Sequence, residues 1–224
     1  MEKYLYFISE VEIVVYLRKP SDFYLSYLQQ SFKSANRIVR PTMLKYGNSL
    51  QNWEMFGELK PRLFAKDALV QGDIIADYFK HYLPDVYKSP KLTHYTQNET
   101  ISAEGMQILL EYQKVSYEKG KPKNQTRTRK LLSEIKKAER KKGKFDYYTK
   151  PKLHQRVSTV IDSDNEDAHY IYDKYGVDLG TLDLDKSNYR MQKFTDLEQL
   201  ITVDQEKVKE INFSIMNKLI EAVD

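Results

Sequence analysis

The sequence predicts an α/β fold in which strand, helix, strand and helix alternate and further helices follow. Residues 11–17 (VEIVVYL) form a short apolar run dense in β-branched side chains, as is typical of a buried strand. Residues 59–65 (LKPRLFA) form a second, shorter run of this kind. Residues 73–82 (DIIADYFKHY) repeat apolar side chains at helical spacing. The later part of the chain favours helices.

The first strand is followed by a break and a helix. Pro20 and Ser21 interrupt the strand, and we expect a helix to begin at Ser21 or Asp22, with Asp22 as its capping residue. A short helix is predicted around Leu50–Phe56, before the second strand. In the next connection we expect Gly72 to permit a turn.

The later elements are helices joined by loops. Asp73 is expected to cap the helix over residues 73–82, and residues 84–98 are predicted as loop. Ser102 is positioned to cap a helix that runs through Leu109 and Leu110. The remaining predicted helices span residues 126–142, 164–175 and 204–222.

Length and composition indicate one domain over residues 1–224, with an α/β part at 1–118 and a mainly helical part at 119–224. The chain contains no cysteine, which excludes disulfides and thiolate metal sites. No apolar run approaches the roughly 20 residues of a membrane-spanning helix, and no signal peptide is recognisable. We therefore expect a cytoplasmic protein.

Charge is segregated along the chain. Residues 119–156 contain fifteen Lys and Arg against three acidic residues, a local charge of +12 in a chain whose net charge is +4. An acidic stretch from Asp162 to Asp185 follows directly. The pattern is compatible with a polyanionic partner, and equally with a solvated helix beside an acidic neighbour.

The corner between the first strand and the first helix contains two candidate anion ligands. Arg18 stands where the strand ends, and its guanidinium can form two charge-assisted hydrogen bonds to a phosphate. Ser26 lies eight residues later in the first turns of the helix, whose N-terminus offers free N–H groups and a positive dipole. Considered alone, however, such residues are most often a surface cation and an ordinary helix residue.

The full string "VYLRKPSDFYLSYLQQ" resembles the 3′-phosphate-binding motif of the sulfotransferases. The likeness consists of a strand, an arginine, a proline-containing break, an aspartate, and a serine eight positions after the arginine. It implies that Arg18 and Ser26 bind the 3′-phosphate of the co-substrate 3′-phosphoadenosine 5′-phosphosulfate (PAPS).

A longer stretch supports the same resemblance. "LQNWEMFGELKPRLFAKDALVQGDIIADYF" is similar to a pattern of bacterial sulfotransferase-like proteins, which often occur near surface-polysaccharide genes. The resemblance covers roughly residues 8–175. It implies a P-loop-like parallel sheet flanked by helices, and transfer of a sulfuryl group to a hydroxyl or amine, with a saccharide as the expected acceptor.

One part of the family's pattern is missing. Sulfotransferases begin with a strand and a loop containing Gly, Lys and Thr or Ser that holds the 5′-phosphosulfate, and no such string occurs here. The fold is therefore expected to be incomplete at its N-terminus, as a truncated or degenerate homologue. We expect this chain to be inactive alone, and no catalytic residue can be named.

The residues also support an alternative function, a non-catalytic module that recognises an anionic glycan through residues 119–156. Nucleic acid is disfavoured as a partner because aromatic side chains for base stacking are absent between Lys119 and Lys144. A homodimer is predicted because the missing first strand would leave a sheet edge uncovered.

The remaining candidate residues give weaker predictions. No histidine has the spacing of a metal site, so no metal is expected. His94 is a candidate contact to the acceptor. Residues Lys141–Lys144 are a weak candidate for a second loop that binds the 3′-phosphate.

Arg62, on the second predicted strand, is expected to pair with a buried acid rather than to bind a ligand.

Overall fold

The computed structural model describes most of the chain. The described residues are 10–33, 37–40, 46–88, 100–118, 125–139, 148–163, 167–182 and 193–221. Within them the protein is mixed α/β and mostly helical, with one two-stranded parallel sheet. None of the described helices is both long enough and apolar enough to cross a membrane.

The elements follow one another in the predicted order. They are β1 (Glu12–Leu17), α1 (Pro20–Phe32), α2 (Tyr46–Glu54), β2 (Glu58–Leu63), α3 (Ile74–Tyr82), α4 (Pro84–Tyr87), α5 (Ala103–Glu118), α6 (Gln125–Glu139), α7 (Gln155–Ser163), α8 (Ala168–Tyr175) and α9 (Gln205–Glu221). Both predicted strands are confirmed. The short helix α4 replaces part of a predicted loop, because Pro84 fits the first turn of a helix. Helix α7 was not predicted.

The chain divides into two compact units, each assembled from three segments. The first unit comprises Met1–Asp22, Thr42–Thr96 and Thr159–Tyr189. The second comprises Phe23–Pro41, Gln97–Ser158 and Arg190–Asp224. These boundaries differ from the expected division at residue 118. A single domain over the whole chain remains a prediction.

The sheet of the first unit pairs β1 with β2 in parallel, from Glu12 opposite Glu58 to Leu17 opposite Leu63. A further bond joins the N–H of Phe64 to the carbonyl of Leu17 at 2.7 Å. At the other end, a Cβ on Gly57 would lie 2.3 Å from the carbonyl oxygen of Val11. Only glycine therefore permits this approach of the backbones.

One face of the sheet packs on an apolar core. Leu17 of β1 and Leu59 of β2 are buried there with Leu50 of α2, Ile171 of α8 and Leu179, which follows α8. Side chains alternate between the faces of a strand, so the other face is built from Tyr16, Arg62 and their neighbours. That face is polar.

A buried carboxylate packs on the polar face of the sheet. Asp77 of α3 is fully buried and accepts bonds from Arg62 Nε and Nη2 at 2.6 and 2.9 Å, from Tyr16 Oη at 2.8 Å and from the Val70 N–H at 3.1 Å. Burial opposes the charge of Asp77, but these hydrogen bonds lower its pKa. The predicted pairing of Arg62 with an acid is confirmed.

The second unit has a helical core. Helices α5, α6 and α9 pack on one another around Met106, Leu109, Ile135 and Ile211. Ser102 caps α5 as predicted, accepting from the Gly105 N–H at 2.8 Å.

Two buried glutamates lie within this helical core. Glu139 of α6 accepts from the Ser102 N–H at 3.2 Å, and Glu104 of α5 accepts from the Asp204 N–H at 3.3 Å. The second oxygen of Glu104 has no hydrogen-bond partner among the described residues. Burial, aided by the nearby charge of Glu104, raises the pKa of Glu139.

Replacing Asp77 with alanine is expected to lower the free energy of unfolding by about 3 kcal/mol, because the Arg62 guanidinium loses its buried partner. Urea denaturation measures this loss. The control is Glu58→Ala, which removes an exposed partner of Lys60 and should cost less than about 1 kcal/mol. Equal losses in the two variants would contradict a structural role for the buried pair.

Glu139→Gln is expected to remove a pH dependence of the free energy of unfolding. The pKa of Glu139 is higher in the folded state, so Glu139 keeps its proton there at pH values where the unfolded chain has released it. The free energy of unfolding therefore falls as pH rises above about 4.3. The glutamine keeps the acceptor for Ser102 and cannot ionise. Urea titrations should therefore show the variant to be more stable than the parent at pH 8, with the difference shrinking toward pH 4.

The control for this prediction is Glu134→Gln on the same helix. Hydrogen bonds from Lys137 and Lys218 lower the pKa of Glu134, so its charge stabilises the fold at neutral pH. The variant should be less stable than the parent at pH 8. If both variants were more stable than the parent at pH 8, burial of the Glu139 carboxylate could not be the cause of the gain in Glu139→Gln.

Candidate functional site

The candidate site is the corner between β1 and α1. Strand β1 ends at Leu17, and α1 begins at Pro20, so Arg18 and Lys19 form the whole connection. Proline suits the first helical position because its ring presets a helical φ and its missing N–H would be unpaired there. The predicted start at Ser21 or Asp22 is therefore slightly late. Asp22 lies in the first turn of the helix and is not its cap.

A carboxylate from elsewhere in the chain binds the start of α1. Asp162, near the end of α7, accepts from both the N–H and the hydroxyl of Ser21, each at 2.9 Å. The ammonium of Lys19 lies 3.2 Å from the same carboxylate. Asp162 thus supplies an anion at a helix N-terminus, where unpaired N–H groups favour negative charge.

Asp162 is held in a low-dielectric position. Its side chain is only 2% exposed, and burial raises its pKa although Ser21 and Lys19 favour the charged form. The sequence predicted free backbone N–H groups at this corner. That prediction is wrong for Ser21, because Asp162 accepts from its N–H. An external anion at this corner would therefore bind side-chain donors.

Arg18 is positioned by two neighbours. Its guanidinium lies over the ring of Phe64, 4.2 Å from the centroid, and its carbonyl accepts from Tyr46 Oη at 2.9 Å. Burial raises the pKa of Tyr46 to about 12, so the phenol remains a donor near neutral pH. Phe64 is itself fixed by its backbone bond to Leu17. The aromatic contact therefore places the cation directly after the end of β1.

The Arg18 guanidinium has no carboxylate partner among the residues that the structure describes. Lys19 and Arg62, its neighbours in the same unit, are both bound to buried acids. Arg18 therefore differs from them in keeping its charge available to a ligand.

Ser26 lies farther along α1. It is the seventh residue of the helix and is half-buried, about 9 Å along the axis from Pro20 at 1.5 Å per residue. Helix α1 is shared between the two units, since the division falls after Asp22. The role of Ser26 stays a prediction from the resemblance.

The other candidates in the first unit have structural roles. Asp73 caps α3 by accepting from the Ala76 N–H at 2.8 Å, and Gly72 has a φ of +67°, as its predicted turn requires. No group of three His, Cys, Asp or Glu in the described part of the chain is arranged to hold a metal ion. His94 and Lys141–Lys144 lie outside the described residues.

The basic segment is partly described. Helix α6 exposes Arg129 and Lys130, while Lys137 pairs with Glu134 at 2.6 Å. Lys150, Lys152 and Arg156 are also exposed. Most of the described cations of this segment therefore face solvent, as they would both in a solvated helix and in an anion-binding surface; Lys136 is half-buried.

Comparison with known proteins assigns neither a family nor a function to this chain. No family model, no curated protein and no solved structure matches this chain. The interpretation of the corner therefore depends on its own residues and contacts.

Replacing Asp162 with alanine should lower the free energy of unfolding by about 2 to 3 kcal/mol, since the Ser21 N–H and hydroxyl both lose a charged acceptor. Thermal and urea denaturation test this. The matched control is Asp22→Ala, an exposed acid in the first turn of the same helix, which should cost no more than about 1 kcal/mol. If the two losses were alike, the carboxylate of Asp162 would not be what holds this corner.

Proposed function

We propose that this chain has a sulfotransferase-type α/β fold whose corner binds the 3′-phosphate of PAPS or of its product. The observation that supports the proposal most directly is the Arg18 guanidinium. Arg18 directly follows a parallel strand, and its backbone carbonyl accepts from Tyr46 Oη. Its guanidinium lies over the ring of Phe64 and lacks a carboxylate partner among the described residues. A guanidinium is also suited to bind two oxygens of one phosphate group.

The local charge balance favours an anion. Arg18 and Lys19 are adjacent cations, and the single described carboxylate bound to this pair is that of Asp162, on Lys19. A dianionic phosphate monoester beside Arg18 would therefore meet an excess of positive charge. Each charge-assisted hydrogen bond contributes roughly 1.5–3 kcal/mol, which suffices to anchor a phosphate but not to hold a whole nucleotide.

In the proposed reaction, the bond between the sulfuryl group and the nucleotide phosphate breaks as a bond forms to an acceptor oxygen or nitrogen. The acceptor loses its proton to a base. Arg18 and Ser26 would fix the donor by its 3′-phosphate and would not touch the reacting sulfur. Because no residue is assigned as the base or as a ligand of the sulfate end, we expect binding without turnover. A saccharide is the proposed acceptor.

The exposed cations of α6 support a second candidate. Arg129 and Lys130 stand next to each other on the solvent side of the helix, and neither is in an ion pair with a described residue. A flexible sulfated or carboxylated glycan could bind there through charge alone, with strong dependence on salt. In that case Arg18 would not contribute to binding.

Calorimetric titration with 3′-phosphoadenosine 5′-phosphate tests the main proposal. Arg18→Ala should weaken binding about 10- to 100-fold, the equivalent of one charge-assisted bond. The variant and the parent should bind adenosine 5′-phosphate, which lacks the 3′-phosphate, with equal affinity. Ser26→Ala should weaken binding of 3′-phosphoadenosine 5′-phosphate by a smaller factor and leave binding of adenosine 5′-phosphate unchanged.

Arg129→Ala is the matched control, because it removes an exposed arginine of the second unit. It should leave nucleotide binding unchanged. Absence of nucleotide binding by the parent chain would overturn the proposal. Salt-sensitive binding of a sulfated glycan that is lost in a double Arg129→Ala and Lys130→Ala variant, but kept in Arg18→Ala, would favour the second candidate.

A further inference from the structure

Helices α2 and α8 of the first unit bring together a cluster of five polar side chains. The cluster consists of Gln51 and Glu54 of α2 and of Tyr170, Lys174 and Tyr175 of α8. All five lie in one compact unit, and the two helices pack on each other. Gln51 and Glu54 are three residues apart, and Tyr170 and Lys174 four, so each pair lies on one side of its helix.

The ammonium of Lys174 is held in place by three neighbours. It lies 2.5 Å from a carboxylate oxygen of Glu54. It also lies over the rings of Tyr170 and Tyr175, 5.4 and 5.5 Å from their centroids, and these rings pack edge to face. The ammonium is thereby directed at Tyr170 Oη, to which Nζ donates at 3.1 Å.

The two phenols of the cluster have opposite partners. The Tyr175 hydroxyl donates to the Glu54 carboxylate, so its ionisation would bring two anions into contact. Burial and this hydrogen bond raise the pKa of Tyr175. Burial also opposes ionisation of Tyr170, but its hydrogen bonds with Lys174, Gln51 and Tyr175 lower its pKa. Neighbouring groups whose environments separate their pKa values in this way typically divide into a proton donor and a base or nucleophile.

We propose that Tyr170 is the nucleophile of a second site in the first unit, where its phenolate oxygen accepts an acyl group from an uncharged donor. The inference does not depend on the proposed function. The phenolic proton first passes to solvent. Tyr170 Oη then forms a bond to the carbonyl carbon, and the bond from that carbon to the leaving group breaks. The leaving group takes the electron pair and a proton from solvent, and Tyr170 becomes an aryl ester.

The local charge favours an uncharged donor. Lys174 and Glu54 already balance each other, so ionised Tyr170 gives the cluster a net charge of −1. Asp167 adds a further negative charge near the ring, where it accepts from the Gly47 N–H at 3.0 Å. A phosphate or sulfate ester would be repelled, whereas a neutral ester or thioester would not. The side chains of Lys174 and Glu54 are 42% and 30% exposed, so a donor reaches the cluster from solvent.

Limited acetylation with N-acetylimidazole, an uncharged acyl donor, tests the proposal, and peptide mass spectrometry measures the rate at each tyrosine. At about pH 7.5, Tyr170 should react about 10-fold faster than Tyr172, which lies on the same helix and is 47% exposed. The Tyr170 rate should level off below about pH 10, the ordinary pKa of a phenol. Hydroxylamine should remove the acetyl group, because it cleaves an aryl ester and not the amide that acetylated Lys174 would contain.

Lys174→Met tests the cause of the reactivity. It should slow acetylation of Tyr170 about 10-fold, the effect of one lost charge-assisted hydrogen bond, and leave the rate at Tyr172 unchanged. Lys174→Arg should keep most of the rate, since a guanidinium also donates. In the urea-unfolded parent, which requires no variant to fold, the two tyrosines should react at similar rates. Equal rates in the folded parent, or an undiminished Tyr170 rate in Lys174→Met, would overturn the proposal.

Discussion

The first unit depends on the buried carboxylate of Asp77. Two parallel strands are too few to persist on their own, so β1 and β2 need cover on both faces. Leu17, Leu59 and their partners cover one face. On the other, Asp77 binds one residue from each strand, Tyr16 and Arg62, and joins both to α3. The end of β1, and with it Arg18, is thereby set in place.

Much of the fold was predictable because the signals are local. The strand of residues 11–17 follows from β-branched side chains, and the caps at Asp73 and Ser102 follow from residue type and position. The pairing of Arg62 was expected because an arginine on a buried strand needs an acid. Helix α7 was missed, although Val157, Val160 and Ile161 carry a helical spacing that could have predicted it.

The candidate site was less predictable, because its main constraint is not local. Arg18 could be selected from its position after a strand, but Asp162 lies among several acids that look alike in sequence. Only the folded chain distinguishes the one that is buried against Ser21. The aromatic support of Arg18 by Phe64 is similarly a product of strand pairing. The type and position of a residue can therefore suggest that its side chain binds a ligand. Whether that side chain is free to do so depends on contacts with residues that are distant in the sequence.

The bond between Ser21 and Asp162 also has a consequence for biosynthesis. The two residues are 141 positions apart in the chain. At roughly 5–20 residues per second, a ribosome needs about 7 to 28 s to reach the second residue after the first. During that interval the N–H and hydroxyl of Ser21 lack the carboxylate that they bind in the folded chain. The corner is therefore among the last parts of the first unit to mature on the ribosome, and nascent chains released before residue 162 would lack it.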